Sequence, residues 1–209
     1  MKLFDKEFIS IVDCDETLLK TKNSLRQFYL ETIDPRANIA PGTYSYNWPV
    51  WGTNNPAEMK AKNKVFCDQW CASEYFTRIE PYERSLEAIK YLRSLGPVYV
   101  LTSITTKPDQ IKRRQDFLSE IYENNFTDII CLGLGASKQE ALRKLGGHVF
   151  FDDSPQFVNE AINVGTAGIW VNHDQAPDRP DKEPLNPNAY KLTHWNQTEK
   201  IIETIMRSK

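Results

Sequence analysis

The feature that most constrains this chain is a series of short, nearly continuous apolar runs separated by amphipathic stretches. "FISIVD" ends at Asp13, "PVYVLT" at Thr102, "DIICL" at Leu132, "HVFFD" at Asp152 and "AGIWV" at Val171. Runs this short and this apolar read as strands buried on both faces, as a parallel sheet requires. Between the later runs, apolar positions recur at helical spacing. Leu86, Ile89 and Leu92 precede Gly96, a C-cap position; Ile111, Phe117 and Ile121 follow, then Phe157, Val158, Ala161 and Ile162. Strands alternating with helices predict an α/β fold, a doubly wound, mainly parallel Rossmann-like sheet. "YKLTHW" and residues 197–208 predict a closing strand and helix.

One stretch breaks the rhythm. From residue 21 to 81 no parallel strand is legible. A helical pattern around Leu25, Phe28 and Tyr29 leads into a turn-rich segment, and a second helix over 56–73 carries Phe66 and Trp70 four apart. So long an excursion between strands predicts an inserted helical lobe, 21–81, on a core made of 1–20 and 82–209.

The formal net charge is −2, so no basic field advertises a nucleic-acid partner. No window approaches the ~20 apolar residues of a membrane span. Asp5 and Glu7 stand where a signal peptide needs hydrophobicity. Cys14, Cys67, Cys71 and Cys131 lack zinc-ligand spacing, and nothing in their placement suggests a disulfide. The expectation is a reduced, cytoplasmic protein with no membrane partner. Monomer and homodimer both stay open.

In an open parallel sheet, ligands bind beyond the carboxyl ends of the strands. Asp13 and Asp15 follow the first strand, Thr102 and Ser103 the second, and Asp152 and Asp153 close "VFFDD"; Lys138 opens the helix after "IICLGL". Carboxylates this crowded repel one another, and desolvating them costs several kcal/mol each unless a cation compensates. Carboxylates without a histidine cluster favour Mg²⁺. In that reading Asp13 is a nucleophile toward phosphorus. Asp15 is the acid and then the base, kept protonated by a neighbouring carboxylate. Asp13, Asp152 and the backbone carbonyl of Asp15 hold the metal. Thr102 and Lys138 bind phosphate oxygens, the Cys14 N–H and Ser103 support them, and Asp153 orients Lys138 or a metal-bound water. Glu16, His148, His173 and His194 receive no chemistry.

D-x-D-x-T at Asp13, Asp15 and Thr17, a Thr after the second strand, a Lys on a helix and "FFDDS" resemble, in order, the motifs of the haloacid dehalogenase-like phosphohydrolases. The inserted lobe resembles that superfamily's helical C1-type cap. "WCASEYFTRIEPYERSLEAIKYLRS" followed by "VYVLTS" is similar to the 5'(3')-deoxyribonucleotidases. The resemblance implies a small phosphorylated substrate, with (deoxy)nucleoside monophosphates first. It also implies that Trp70 and Phe76, with Trp48, Trp51 and Lys107, contact that substrate. Two departures stand out: Thr17 occupies a position usually apolar in that group, and its "TSPIK" is replaced by "TSITTK". Sugar or metabolite phosphates, a nucleic-acid 3'-phosphate and a phosphoprotein are the alternative substrates. A phospho-acceptor signalling module is the non-enzymatic alternative, but such a module has neither the second Asp nor a cap.

Overall fold

A computed structural model describes residues 7–39, 55–173 and 184–208. Six strands form one sheet: β1 (Ser10–Val12), β2 (Val98–Ser103), β3 (Asp128–Leu132), β4 (Val149–Asp152), β5 (Ala167–Val171) and β6 (Tyr190–Leu192). Every pairing is parallel, and the spatial order is β3-β2-β1-β4-β5-β6. The α/β sheet predicted from the apolar runs is therefore present. From β1 the chain builds outward through β2 and β3, then returns to the other side of β1 for β4, β5 and β6. The crevice between β1 and β4 is thus the topological switch point, where sheets of this order open to ligands.

Neighbouring residues of one strand serve opposite faces, as the two-residue period of a strand demands. Ile11 packs with Leu101 and Phe150 on one face, while Val12, Val100 and Phe151 join the larger cluster on the other. Helices cover both faces: α3 (Ser85–Leu95), α4 (Pro108–Ile121), α5 (Gln139–Leu145), α6 (Pro155–Asn163) and α7 (Thr198–Arg207). The helix read from Leu86, Ile89 and Leu92 begins at Ser85, because Arg84 takes a left-handed conformation (φ 66°) that α-helix cannot continue through. Gly96 does end α3. A Cβ there would sit 2.5 Å from the carbonyl oxygen of Phe8, so only glycine lets the helix end approach the start of β1 this closely.

Between β1 and α3 lie α1 (Thr21–Thr32), α2 (Pro56–Ala72) and a 3₁₀ turn (Glu74–Thr77). Phe28 meets Phe66 at 5.5 Å between ring centroids, and Trp70 meets Phe76 edge-on at 5.0 Å. The Trp70 indole N–H donates to Ser24 Oγ (3.1 Å), whose own hydroxyl donates to the Tyr75 carbonyl (2.7 Å). The apolar spacing of α1 and α2 therefore adds these aromatics to the larger cluster on that face of the sheet. Cys14, Cys71 and Cys131 are free thiols. Among the described residues, no helix is long and apolar enough to cross a membrane.

Candidate active site

Asp13 leaves β1 with its N–H on the Phe151 carbonyl (2.8 Å), which ties the end of β1 to β4. Its side chain and that of Asp152 therefore face one another across the switch point. Lys138 lies between them, its ammonium 2.5 Å from Asp13 Oδ1 and 2.7 Å from Asp152 Oδ2. All three are buried. Two holds place Lys138. The carboxylate of Glu160 accepts from the Lys138 N–H (2.7 Å) and from Ser137 Oγ (3.0 Å), and the ammonium lies over the rings of Phe157 (4.7 Å) and Phe150 (5.4 Å).

Carboxylate oxygens of Asp13, Asp152 and Asp153 all lie within 4.8 Å of one another. Burial pushes the Asp13 carboxyl up to about 7; Lys138 opposes the rise, and Asp152 and Asp15 add to it. Asp152 rises to about 6, again by burial against the pull of Lys138 and with the push of Asp153. Burial also works against the Lys138 ammonium, but the two acids overcome it and hold the lysine above its ordinary value. One ammonium does not balance three carboxylates, and burial, which Lys138 only partly opposes, holds Asp13 and Asp152 raised. An all-oxygen donor set carrying that excess fits a hard divalent cation.

The turn after β1 closes with Leu18 and Leu19 N–H groups on the Cys14 carbonyl (2.8 and 3.0 Å) and needs Glu16 at φ 60°. A non-glycine residue there costs about 1–2 kcal/mol. Side-chain bonds offset it: Glu16 accepts from the Lys22 N–H (2.6 Å) and Tyr82 Oη (3.2 Å) and pairs with the Lys22 ammonium (3.1 Å). Glu16 thus ties the first turn of α1 and Tyr82 to the turn after β1, a role its sequence context did not reveal. Thr17 donates to Asp13 Oδ2 (3.5 Å), while its carbonyl accepts from Trp195 Nε1 (3.1 Å) and faces His173 Nε2 (3.1 Å).

Several predicted residues have partners that the sequence did not specify. The nearest charge partner of Asp15 is a guanidinium rather than a carboxylate: Arg114 Nη2 lies 3.2 Å from Oδ1. Thr21 Oγ1 donates to the same oxygen (2.6 Å), and Thr102 Oγ1 donates to Oδ2 (3.3 Å). Ser103 donates to the Ala136 carbonyl (3.1 Å), fixing the loop that carries Lys138. The hydrogen bonds of Lys138 go to Asp13 and Asp152, and Asp153 uses its carbonyl to accept from Trp170 Nε1 (2.9 Å). Lys107 forms an exposed pair with Asp68 (3.2 Å). Cys14 presents its thiol to Arg114 Nη1 (3.3 Å), and burial pushes that thiol well above its ordinary value. Trp70 and Phe76 are 0% exposed, and both contact Arg114. Trp48 and Trp51 lie outside the described residues.

Arg114 escaped the sequence reading, although a signal existed. It sits three residues from both Ile111 and Phe117, on the stripe that α4 turns toward the core. An arginine in an apolar stripe must find a partner, and Asp15 is that partner.

The fold is similar to those of several haloacid dehalogenase-like proteins. A hydrolase of that family from Streptococcus pneumoniae matches with a TM-score of 0.64 at 12% identity, over 94% of this chain and 98% of its own. A predicted phosphatase from Clostridium acetobutylicum matches with a TM-score of 0.64 at 12% identity, over 94% of this chain and 99% of its own. A HAD hydrolase from Bacillus subtilis, described as bound to magnesium, matches with a TM-score of 0.58 at 14% identity, over 95% and 99%. No family model and no curated protein matches the sequence. The likeness is one of fold.

Proposed function

We propose that this chain is a Mg²⁺-dependent phosphomonoesterase working through an aspartyl-phosphate. The observation that carries the reading is Lys138 clamped between Asp13 and Asp152 at the switch point, with Asp153 beside them and Asp15 on the adjoining turn. Asp13 attacks phosphorus; the new Asp13 O–P bond forms as the ester O–P bond breaks, and Asp15 gives its proton to the departing oxygen. Asp15 then takes a proton from water, whose oxygen attacks phosphorus and releases Asp13 and inorganic phosphate. Lys138 keeps Asp13 aimed and offers positive charge to the phosphoryl oxygens. Asp13, Asp152 and the backbone carbonyl of Asp15 would hold the ion, whose charge offsets the repulsion between nucleophile and phosphate.

The substrate class is a small phosphomonoester, since the insertion stands directly after the acidic turn and its Thr21 reaches Asp15. Nucleoside monophosphates are the class that the deoxyribonucleotidase resemblance supports. Stacking on Phe76 would require the base to displace Arg114, whose guanidinium centre lies 4.1 Å from that ring's centroid. The test is phosphate release from deoxy- and ribonucleoside monophosphates, sugar phosphates and phosphotyrosine, with Mg²⁺ and with a chelator. Release that needs the metal and disappears in Asp13→Asn is the expected result. No release from any ester in the presence of Mg²⁺, or full activity in Asp13→Asn, would overturn the proposal.

A further inference from the structure

Arg114 is 0% exposed, and its Nε has no hydrogen-bond partner among the described residues. Burying a guanidinium is costly, so a side chain kept there for packing alone would be better replaced by an apolar one. Its surroundings are specific. Nη2 lies 3.2 Å from Asp15 Oδ1, Nη1 lies 3.3 Å from Cys14 Sγ, and the guanidinium covers the ring of Phe76 at 4.1 Å and that of Trp70 at 5.9 Å. Two of these partners belong to the turn after β1, and the other two to α2 and the 3₁₀ turn of the insertion. The cation–π faces supply on one side what solvent would otherwise supply.

Asp15 is held in the same two-sided way. Thr102, from β2, donates to one carboxylate oxygen; Thr21, the first residue of α1, and Arg114, from α4, donate to the other. With both oxygens engaged, the carboxylate has one orientation. Nothing else charged positively lies in ion-pair contact with Asp15 among the described residues.

We infer that Arg114 is the positioning residue for Asp15, and that the aromatic pair Phe76–Trp70 serves to seat Arg114. This rests on the phosphomonoesterase reading, in which Asp15 protonates the departing oxygen. A misplaced acid slows departure of a poor leaving group and spares a good one, which leaves without protonation. General acid catalysis contributes about 10²–10⁴-fold, and misplacing the acid forfeits part of that.

The experiment compares first-turnover release of the leaving group from an alkyl phosphomonoester and from p-nitrophenyl phosphate. Wild type, Arg114→Met, Arg114→Lys and Phe76→Leu are followed by quenched flow with Mg²⁺. For Arg114→Met the alkyl ester is expected to slow by about 10–100-fold and the aryl ester by about threefold or less. Arg114→Lys recovers part of the loss. Phe76→Leu, which keeps the ion pair, shows the same bias more weakly and stands in should Arg114→Met not fold. Equal slowing of both esters, or slowing of neither, would overturn the inference. Wild type inactive on both esters would instead refute the phosphomonoesterase reading. The positioning then still faces a readout independent of turnover, the crystal structure of metal-free Arg114→Met. The Asp15 carboxylate should have left Thr21 and Thr102; its staying on both would overturn the inference.

Discussion

Replacing Lys138 by methionine removes the one ammonium set between two buried carboxylates. In the wild type, burial already holds Asp13 near 7 and Asp152 near 6, against 3.8 for an ordinary aspartate. Without Lys138 both rise further, because the ammonium was opposing the rise. At pH 7.5 the folded variant must therefore bind a proton or bury an unbalanced charge. Relative to wild type, holding both carboxyls protonated at pH 7.5 costs about 1.4 kcal/mol for each pH unit above their wild-type values, which lie near 7 and near 6, about 3 kcal/mol in all. That agrees with the about 3–5 kcal/mol for breaking a buried pair by removing one partner. For a domain of this size each kcal/mol shifts Tm by about 2–4 °C, so Lys138→Met should melt about 6–20 °C below wild type. The sign with pH follows from the direction of the shifts. Acids raised in the folded state hold protons that the unfolded chain has released, so stability falls as pH climbs from about 4 through the folded values. At pH 5 the wild-type acids are already largely protonated, and the loss of Lys138 should matter little. Thermal melts in chelator at pH 5 and 7.5 decide it. A deficit under about 2 °C at pH 7.5, or one that does not shrink at pH 5, would refute the argument. On the metal reading, added Mg²⁺ narrows the deficit by replacing the missing charge.

The same electrostatics make Asp13→Asn more stable than wild type in chelator at pH 8 by a few kcal/mol at most, with the advantage cut by more than half at pH 5; a lower Tm at pH 8 would count against it. Glu16 is raised by burial, its largest cause, in spite of Lys22. Its contribution therefore fades as pH rises through the folded value, and the Tm of Glu16→Gln relative to wild type should climb between pH 4.5 and 7.5. An opposite slope in paired melts would refute this. Gly96→Ala puts a Cβ 2.5 Å from the Phe8 carbonyl oxygen. It should lower the urea midpoint by the equivalent of about 1–3 kcal/mol with m unchanged, and an unshifted midpoint would show that the backbone yields freely.

How far the sequence could be read depended on the range of the physics involved. Strand and helix follow from periodicities of two and 3.6 residues, which need only near neighbours, so β1 to β6 and α1 to α7 were legible at their positions. Asp13, Asp15 and Asp152 were legible for a related reason: a strand end in a parallel sheet is a definite place, and an acid there has few other uses. The crowding of carboxylates was likewise visible along the chain, and with it the need for positive charge.

What answers that charge was decided only in three dimensions. Lys138 meets Asp13 across 125 residues and Arg114 meets Asp15 across 99. No local pattern states which hydroxyl or cation will share a carboxylate. The geometry turned Thr102 toward Asp15, tied Ser103 to the loop before Lys138, and set Phe76 against a guanidinium from the core. A side chain's period tells which face it occupies; what it touches there depends on how that face is covered. The strand-end acids could therefore be read from sequence alone, while their cationic partners and the pH at which they titrate are properties of the packed molecule.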